Sequence, residues 1–219
     1  MREDIVNIIR TKYPKDSGIV YCFSQMDTEK MAEYLVGEGI KAGAYHAGME
    51  ASKRMEMQRR WSSGEIPIMC ATIAFGMGIN RATVRFVIHA SIPQSIEGYF
   101  QETGRAGRDG LSAECILFYC FGDKNRLTKM IDANVDASRE YKEQLKANLK
   151  QMVQYCENKV TCRRFLLLKY FNQPFDPLSC AKTCDNCKSN VTFQNVDFSN
   201  HAKNIINLGN FFSSFCYFF

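Results

Sequence analysis

Along the first half of the chain, short apolar runs alternate with helix-length polar segments, and few folds accommodate that order. Gly18–Phe23 (GIVYCF), Lys41–Tyr45, Pro67–Thr72 (PIMCAT), Arg85–His89 and Ala113–Tyr119 (AECILFY) each read as a strand. Short apolar runs bounded by glycine, proline or polar residues suit strands covered on both faces. Between them, Thr28–Glu38, Ser52–Ser62 and Ser95–Thr103 read as helices. Ser24-Gln25-Met26-Asp27 supplies capping residues for the first, Met31, Tyr34 and Leu35 its buried stripe, and Gly39 its end. Strands alternating with helices predict an α/β fold with a parallel sheet flanked by helices on both faces. In such sheets the functional loops gather at the carboxyl ends of the strands. Ser24, His46, Thr72 and the Gly76–Asn80 loop, each just past a predicted strand, should therefore line one edge.

From Lys124 the strands give way to amphipathic helix. Two helices are expected across Lys124–Glu157, the second over roughly Ser138–Cys156 with Leu145, Leu149, Met152 and Val153 as its apolar face. Cys162-Arg163-Arg164 then opens a further helix, Phe165–Tyr170, before Pro174 and Pro177. The 219 residues suffice for one α/β domain and a smaller unit, and 46% hydrophobic with 23% charged residues excludes a disordered chain. A net charge of +5 is compatible with nucleic acid without requiring it. Met1–Lys12 is too polar for a signal peptide, and no apolar run approaches the ~20 residues of a membrane span, so no membrane partner is expected.

The ten cysteines consequently read as reduced, buried or metal-binding, in a cytosolic or nuclear compartment. Cys22, Cys70, Cys115 and Cys120 sit in apolar runs as small hydrophobes. Cys162 with Cys180-x₃-Cys184-x₂-Cys187 offers four thiolates suited to a tetrahedral Zn²⁺, against a redox or packing reading of the same residues. Cys156 is expected in the core. Four sulfur ligands close the coordination sphere, so such a zinc would be structural and would carry much of the folding energy of its subdomain.

Gln101-Glu102-Thr103-Gly104-Arg105-Ala106-Gly107-Arg108-Asp109-Gly110 places two arginines three residues apart among three glycines. Guanidinium groups stay charged and bind phosphate bidentately, while glycines allow tight turns and close approach. An arginine laid on a γ-phosphate is worth roughly 10³–10⁵ in rate. The other reading is a basic, glycine-rich surface turn.

Ile19–Ser24 (IVYCFS), Tyr45–Gly48 (YHAG), Cys70–Ile79 (CATIAFGMGI), Val84–Ala90 (VRFVIHA), Gln101–Gly110, Tyr155–Asn158 (YCEN), Cys162–Arg164 and the cysteine cluster occur in the order seen in RecQ-family DNA helicases. The resemblance covers about residues 5–200 and is nearest the Bloom-syndrome-type members. Those enzymes are ATP-driven 3′-to-5′ motors with two RecA-like lobes and a zinc-binding subdomain. This chain resembles the second lobe (1–123) and the helical zinc subdomain (124–192), with 193–219 as the start of a winged-helix region or an aberrant tail.

The resemblance implies roles by position. Arg108 is similar to the arginine that reaches ATP held by the first lobe, with Arg105 and Gln101 coupling ATP to lobe closure. Ser24, Gln25, His46, Ala47, Gly48, Met49 and Thr72 fall where the family contacts the backbone of single-stranded DNA, and Arg126 and Lys129 are further candidates. Such contacts carry no sequence information. The other reading of Arg126 and Lys129 is a solvated helix face, and that of His46 a structural histidine. Trp61 and Phe75 are expected in the core, with base stacking as the alternative. Implied partners are single-stranded and duplex DNA and an N-terminal RecA-like lobe; implied cofactors are structural Zn²⁺ and, in the other lobe, ATP with Mg²⁺. A nuclear location and work in DNA repair, recombination or replication are implied as well.

Two positions depart from the family pattern. Asn80 replaces an aspartate expected to bond within the lobe interface, and Gln25 replaces a common arginine. The chain contains no Gly-x₄-Gly-Lys-Ser/Thr phosphate loop and no Asp-Glu metal box. It is therefore expected to be inactive by itself and to act in a complete helicase. The alternative is a non-catalytic DNA-binding or protein-interaction module. Asn195–Asn207 resembles the start of a winged helix, and the aromatic tail Phe211–Phe219 is too short to span a membrane.

Overall fold

The computed structural model describes residues 1–73, 81–189 and 197–215. Its centre is a five-stranded parallel sheet in the order β2-β3-β1-β4-β5, formed by β1 (Ser17–Tyr21), β2 (Ala42–Tyr45), β3 (Ile68–Ala71), β4 (Val84–His89) and β5 (Glu114–Leu117). Every neighbouring pair is parallel, as the alternating sequence predicts. β1 is buried throughout because successive side chains enter two different cores. Val20 and Cys22 face a layer formed by α1 (Arg2–Lys12) and α2 (Gln25–Gly37), with Ile5, Val6, Ile9, Met31 and Leu35. Ile19 and Tyr21 face Trp61, from α3 (Ala51–Ser62), together with Met69 and Val87. Trp61 is fully buried, which agrees with its core reading.

The helices follow local signals. Ser24 caps α2 by accepting from Asp27 N at 3.1 Å, and Ser95 caps α4 (Ile96–Thr103) by accepting from Gly98 N at 3.1 Å. Gly39 takes φ +78° just past α2, the left-handed conformation that ends a helix cheaply at glycine. α2 begins at Gln25, earlier than the expected Thr28, because the Ser24 cap lies immediately before it. α1 was not anticipated: its polar composition hides a stripe at Ile5, Val6 and Ile9 that closes the core.

Beyond the sheet, α5 (Phe121–Ala133), α6 (Arg139–Glu157) and α7 (Arg163–Tyr170) form the helical part. α5 starts at Phe121, so the expected boundary at Lys124 falls inside a helix. Leu149 and Val153 of α6 pack with Leu127, Ile131 and Ile92, whereas Met152 packs on Ile96 and Tyr99 of α4. Tyr119 donates to Glu157 Oε1 at 2.6 Å, and Tyr170 donates to Glu97, so phenol–carboxylate bonds also cross between the two parts. Cys22 and Cys70 are buried as expected, but Cys115 and Cys120 are exposed. Cys115 lies on β5, the last strand of the sheet order among the described residues, and Cys120 stands just before α5. α9 (Ser199–Phe215) is helical, and Ile205, Ile206 and Leu208 on it are exposed. Asn80, Phe75 and the rest of the 74–80 loop lie outside the described residues, as do 190–196 and 216–219.

The close contact of β1 with β4 depends on Gly18, where an added Cβ would lie 2.1 Å from the Phe86 ring. Gly18→Ala is expected to lower stability by about 1–3 kcal/mol through overpacking, read as a reduced midpoint in urea unfolding with unchanged m-value.

Candidate nucleic-acid edge, arginine loop and metal centre

The carboxyl ends of the strands are level. Tyr45, Ala71, Tyr21, His89 and Leu117 occupy one row of the sheet register. Ser24, the His46–Met49 turn and Thr72 follow three adjacent strands of that row and so share one edge, as the sequence predicts. Thr72 N donates to Tyr45 O at 3.3 Å, tying the β3 end to the β2 end. Gln25 lies over Gly48, where a Cβ would come 2.2 Å from Gln25 Oε1. Glycine at 48 thus lets two candidate contact residues meet.

The turn itself is held from below. Arg54 Nη1 donates to Ala47 O and Met49 O, each at 2.9 Å, leaving Ala47 and Gly48 exposed. His46 is buried, and its Nε2 lies 3.1 Å from Glu29 Oε1. The contact ties the start of the exposed turn to α2. Ser24 Oγ donates to Asp27 Oδ2 at 2.7 Å in addition to capping α2. Arg126 reaches the same place from α5: Nη2 donates to Asp27 Oδ2 at 3.2 Å, and its guanidinium lies 3.9 Å from the Phe23 ring centroid. Burial opposes ionisation of Asp27, but the Ser24 hydroxyl and Arg126 outweigh it and hold the carboxyl below its usual range. Lys129 is exposed on α5, and among the described residues no bond of its own joins it to the edge group. Asp27 figured in the sequence only as a capping residue, and Phe23, Glu29 and Arg54 were not singled out as site residues, since only the fold brings them to the edge.

The arginine loop follows α4. Gln101 is exposed in the last turn of α4, and Arg105 is buried beside Tyr21, whose phenol it hydrogen-bonds. Desolvation raises the Tyr21 pKa, with the nearby Arg105 acting against that rise. Arg108 is exposed, with Nε donating to Gly104 O at 3.1 Å. Gly107 (φ +64°) needs glycine twice over, because a Cβ would also lie 2.8 Å from Leu111 O. Gly104 has an ordinary φ of −65°, so the turn does not rely on its conformational freedom. Two acidic residues are paired on β4: Glu102, in the last turn of α4, with His89, and Asp109 of the loop with Arg85. Neither β4 partner stood out in the sequence, although both lie in the Val84–Ala90 run.

The four predicted cysteines come together. Cys162, Cys180, Cys184 and Cys187 place all their sulfurs within 4.8 Å of one another, with Cys184 and Cys162 sulfurs 4.0 Å apart. A tetrahedral zinc with ~2.3 Å bonds needs sulfur separations of about 3.8 Å, so the donor set and spacing fit Zn²⁺. Cys162 precedes α7 as its cap rather than lying on the helix. Cys180 closes a 3-10 turn, Pro177–Cys180, and Cys184 caps the short α8 (Asp185–Lys188), accepting from Cys187 N at 3.4 Å. Ala181 (φ 48°) and Lys182 (φ 53°) are both left-handed, a strained pair that turns the chain between Cys180 and Cys184. Burial opposes ionisation of Cys180, but the Thr183 hydroxyl and the Cys184 amide outweigh it and bring the thiol down to about 6.

Arg163 braces this knuckle. Its Nε and Nη2 each donate to Asp185 at 2.9 Å, and Nη1 donates to Tyr155 O, joining α6, α7 and α8. Asn186 Nδ2 adds bonds to Asn158 O and Thr161 O at 2.9 and 2.7 Å. Cys156 stays outside the cluster and packs with the helical cores, as expected. Cys184→Ser is expected to abolish stoichiometric zinc in metal analysis of the purified chain, whereas Cys156→Ser retains it. Chelation should lower the thermal midpoint of the first variant's parent protein and release one zinc per chain.

Comparison with known proteins places these features in context. Residues 1–110 match the family described as helicase conserved C-terminal domain, and residues 121–188 match RecQ zinc-binding. The ATP-dependent helicase SGS1 of Saccharomyces cerevisiae is 42% identical over 94% of this chain and 14% of its own length. The RecQ-like DNA helicase BLM of Xenopus laevis is 44% identical over 93% of this chain and 15% of its own, and ATP-dependent DNA helicase Q1 of Mus musculus 42% over 94% and 31%. The chain thus spans between about a seventh and a third of the length of these relatives. A DEAD box protein from the hyperthermophile Methanococcus jannaschii has a similar fold, with TM-score 0.51 and 29% identity over 60% of this chain and 36% of that one.

Proposed function

Because this chain belongs to the RecQ helicases, as a helicase C-terminal lobe followed by their zinc-binding domain, we propose that it is the second motor lobe of an ATP-driven, 3′-to-5′ DNA-unwinding enzyme. The observation that carries this reading is the arginine loop, whose exposed Arg108 sits in a segment bonded to β4 on both sides. An arginine held in that way suits delivery to a nucleotide bound by a partner lobe. Arg105 and Gln101 then link the nucleotide to lobe closure. Mg·ATP would be held mainly by the N-terminal lobe, with the zinc knuckle as a structural brace.

Single-stranded DNA lies, in this reading, along the edge formed by Ser24, Gln25, the His46–Met49 turn and Thr72. Ala47 and Gly48 present backbone, and Arg126 exchanges its Asp27 partner for a phosphate. Closing and opening of the two lobes around ATP moves the strand across this edge, and duplex DNA opens ahead of it. The protein acts in the nucleus, in repair, recombination or replication. A solely DNA-binding module has no use for the paired arginines, which favours the motor over that alternative.

The test joins the chain to the ATP-binding lobe of a RecQ relative and measures DNA-stimulated ATP hydrolysis. Turnover should appear and fall by roughly 10³-fold or more in Arg108→Ala; a joined protein that is folded, binds zinc and hydrolyses ATP equally well in both forms would sink the motor reading. Affinity for a single strand should fall with salt, and Arg126→Ala should flatten that dependence by about 0.7 in log–log slope, the loss of one phosphate contact.

A further inference from the structure

The arginine loop is fastened at both ends of the same strand. At the carboxyl end of β4, His89 Nε2 donates to Glu102 Oε2 at 2.7 Å, and the two side chains are only 2% and 8% exposed. The imidazole lies between Tyr21, stacked at 5.2 Å, and Tyr99, tilted at 5.2 Å. Among the described residues His89 Nδ1 is buried with no hydrogen-bond partner, and the Glu102 bond orients the ring. Glu102 stands three residues before Arg105, whose guanidinium shares Tyr21 with that ring.

At the amino end, Arg85 Nη2 lies 2.6 and 2.5 Å from the two oxygens of Asp109, the residue next to Arg108. The same guanidinium donates to Ser112 O at 3.0 Å and to Ala82 O at 3.4 Å. Gly107 N donates to Val84 O at 2.9 Å, so the turn before Arg108 rests directly on the strand. Arg85 and Asp109 are partly exposed, at 14% and 22%, and an ion pair of that kind adds little to stability. One Nη2 shared between both carboxylate oxygens is nonetheless a short charge-assisted contact, and with the Ser112 bond from Nη1 it fixes where Asp109 lies.

We propose that His89 and Arg85 are positioning residues for the arginine loop. They act through Glu102 and Asp109 to keep Arg105 seated beside Tyr21 and the exposed Arg108 where a nucleotide phosphate can be reached. This rests on the reading of Arg108 as the phosphate-contacting arginine. β4 is gripped by β1 and β5 on its two sides, which makes it a rigid support for both fastenings. The guanidinium of Arg85 also binds the turn that leads into β4, so that turn and the arginine loop share one anchor.

The experiment uses the intact 219-residue chain joined to the ATP-binding lobe, with variants Arg85→Lys, Asp109→Asn, His89→Ala, His89→Gln and, as reference, Arg108→Ala. Arg85→Lys and Asp109→Asn should lower kcat by roughly ten- to a hundredfold, the cost of a misplaced group, with KM for ATP, single-strand affinity and thermal midpoint unchanged. His89→Gln, which keeps an N–H donor near the position of Nε2, should recover most of the kcat lost in His89→Ala. Loss of turnover in Arg108→Ala while the β4 variants keep full kcat would overturn the positioning role and leave the motor reading intact. A fall in kcat that tracks lost stability and lost affinity equally would overturn it too, by reducing the pairs to structural supports. Unchanged turnover in Arg108→Ala would overturn both readings together.

Discussion

Parallel pairing with level carboxyl ends is the constraint on which everything else in this molecule depends. Tyr45, Ala71, Tyr21, His89 and Leu117 share one row, so every loop that follows a strand emerges at one edge. A one-residue slip of β1 would exchange Ile19 and Tyr21 for Val20 and Cys22 between two differently shaped cores. Burial on both faces therefore fixes the register, and the register fixes which side chains meet at the edge.

The edge divides labour between presented and supporting groups. Ala47 and Gly48 are exposed because Arg54 takes up the carbonyls of their turn and His46 is tied to Glu29. The arginine loop repeats this arrangement with Arg108 presented, Arg105 buried against Tyr21, and acidic neighbours fastened to β4. In both places a buried side chain, His46 on Glu29 or Arg105 on Tyr21, lies beside the groups presented to solvent. Burial of the polar Glu102 and Arg105 side chains is tolerable because each has a polar partner in the Tyr21–His89 group.

The helical part is more than an appendage to the sheet. α6 presents Met152 to α4 and Leu149 with Val153 to α5, so the element that leads into the arginine loop shares a core with the zinc-bearing unit. The zinc knuckle in turn holds strained backbone at Ala181 and Lys182, which a closed thiolate set can stabilise. Arg163 and Asn186 carry that local order back to the end of α6. Knuckle, α6 and α4 are thus mechanically continuous.

The sequence by itself determined the α/β class, the five strands, the change to helices and the four metal ligands. These are periodicity and spacing signals, and each is local enough to survive without coordinates. Strand-end placement also predicted that Ser24, His46 and Thr72 would share an edge. Only the tertiary structure decided which of those residues face outward, since burial of His46 on Glu29 joins positions 17 residues apart. The same holds for α1, whose three core residues are masked by a polar composition, and for the exposure of Cys115 and Cys120. The pairs Arg85–Asp109 and His89–Glu102 span 24 and 13 residues, and no local pattern announces them. Contacts of that kind exist only once the sheet has set the distance between their ends.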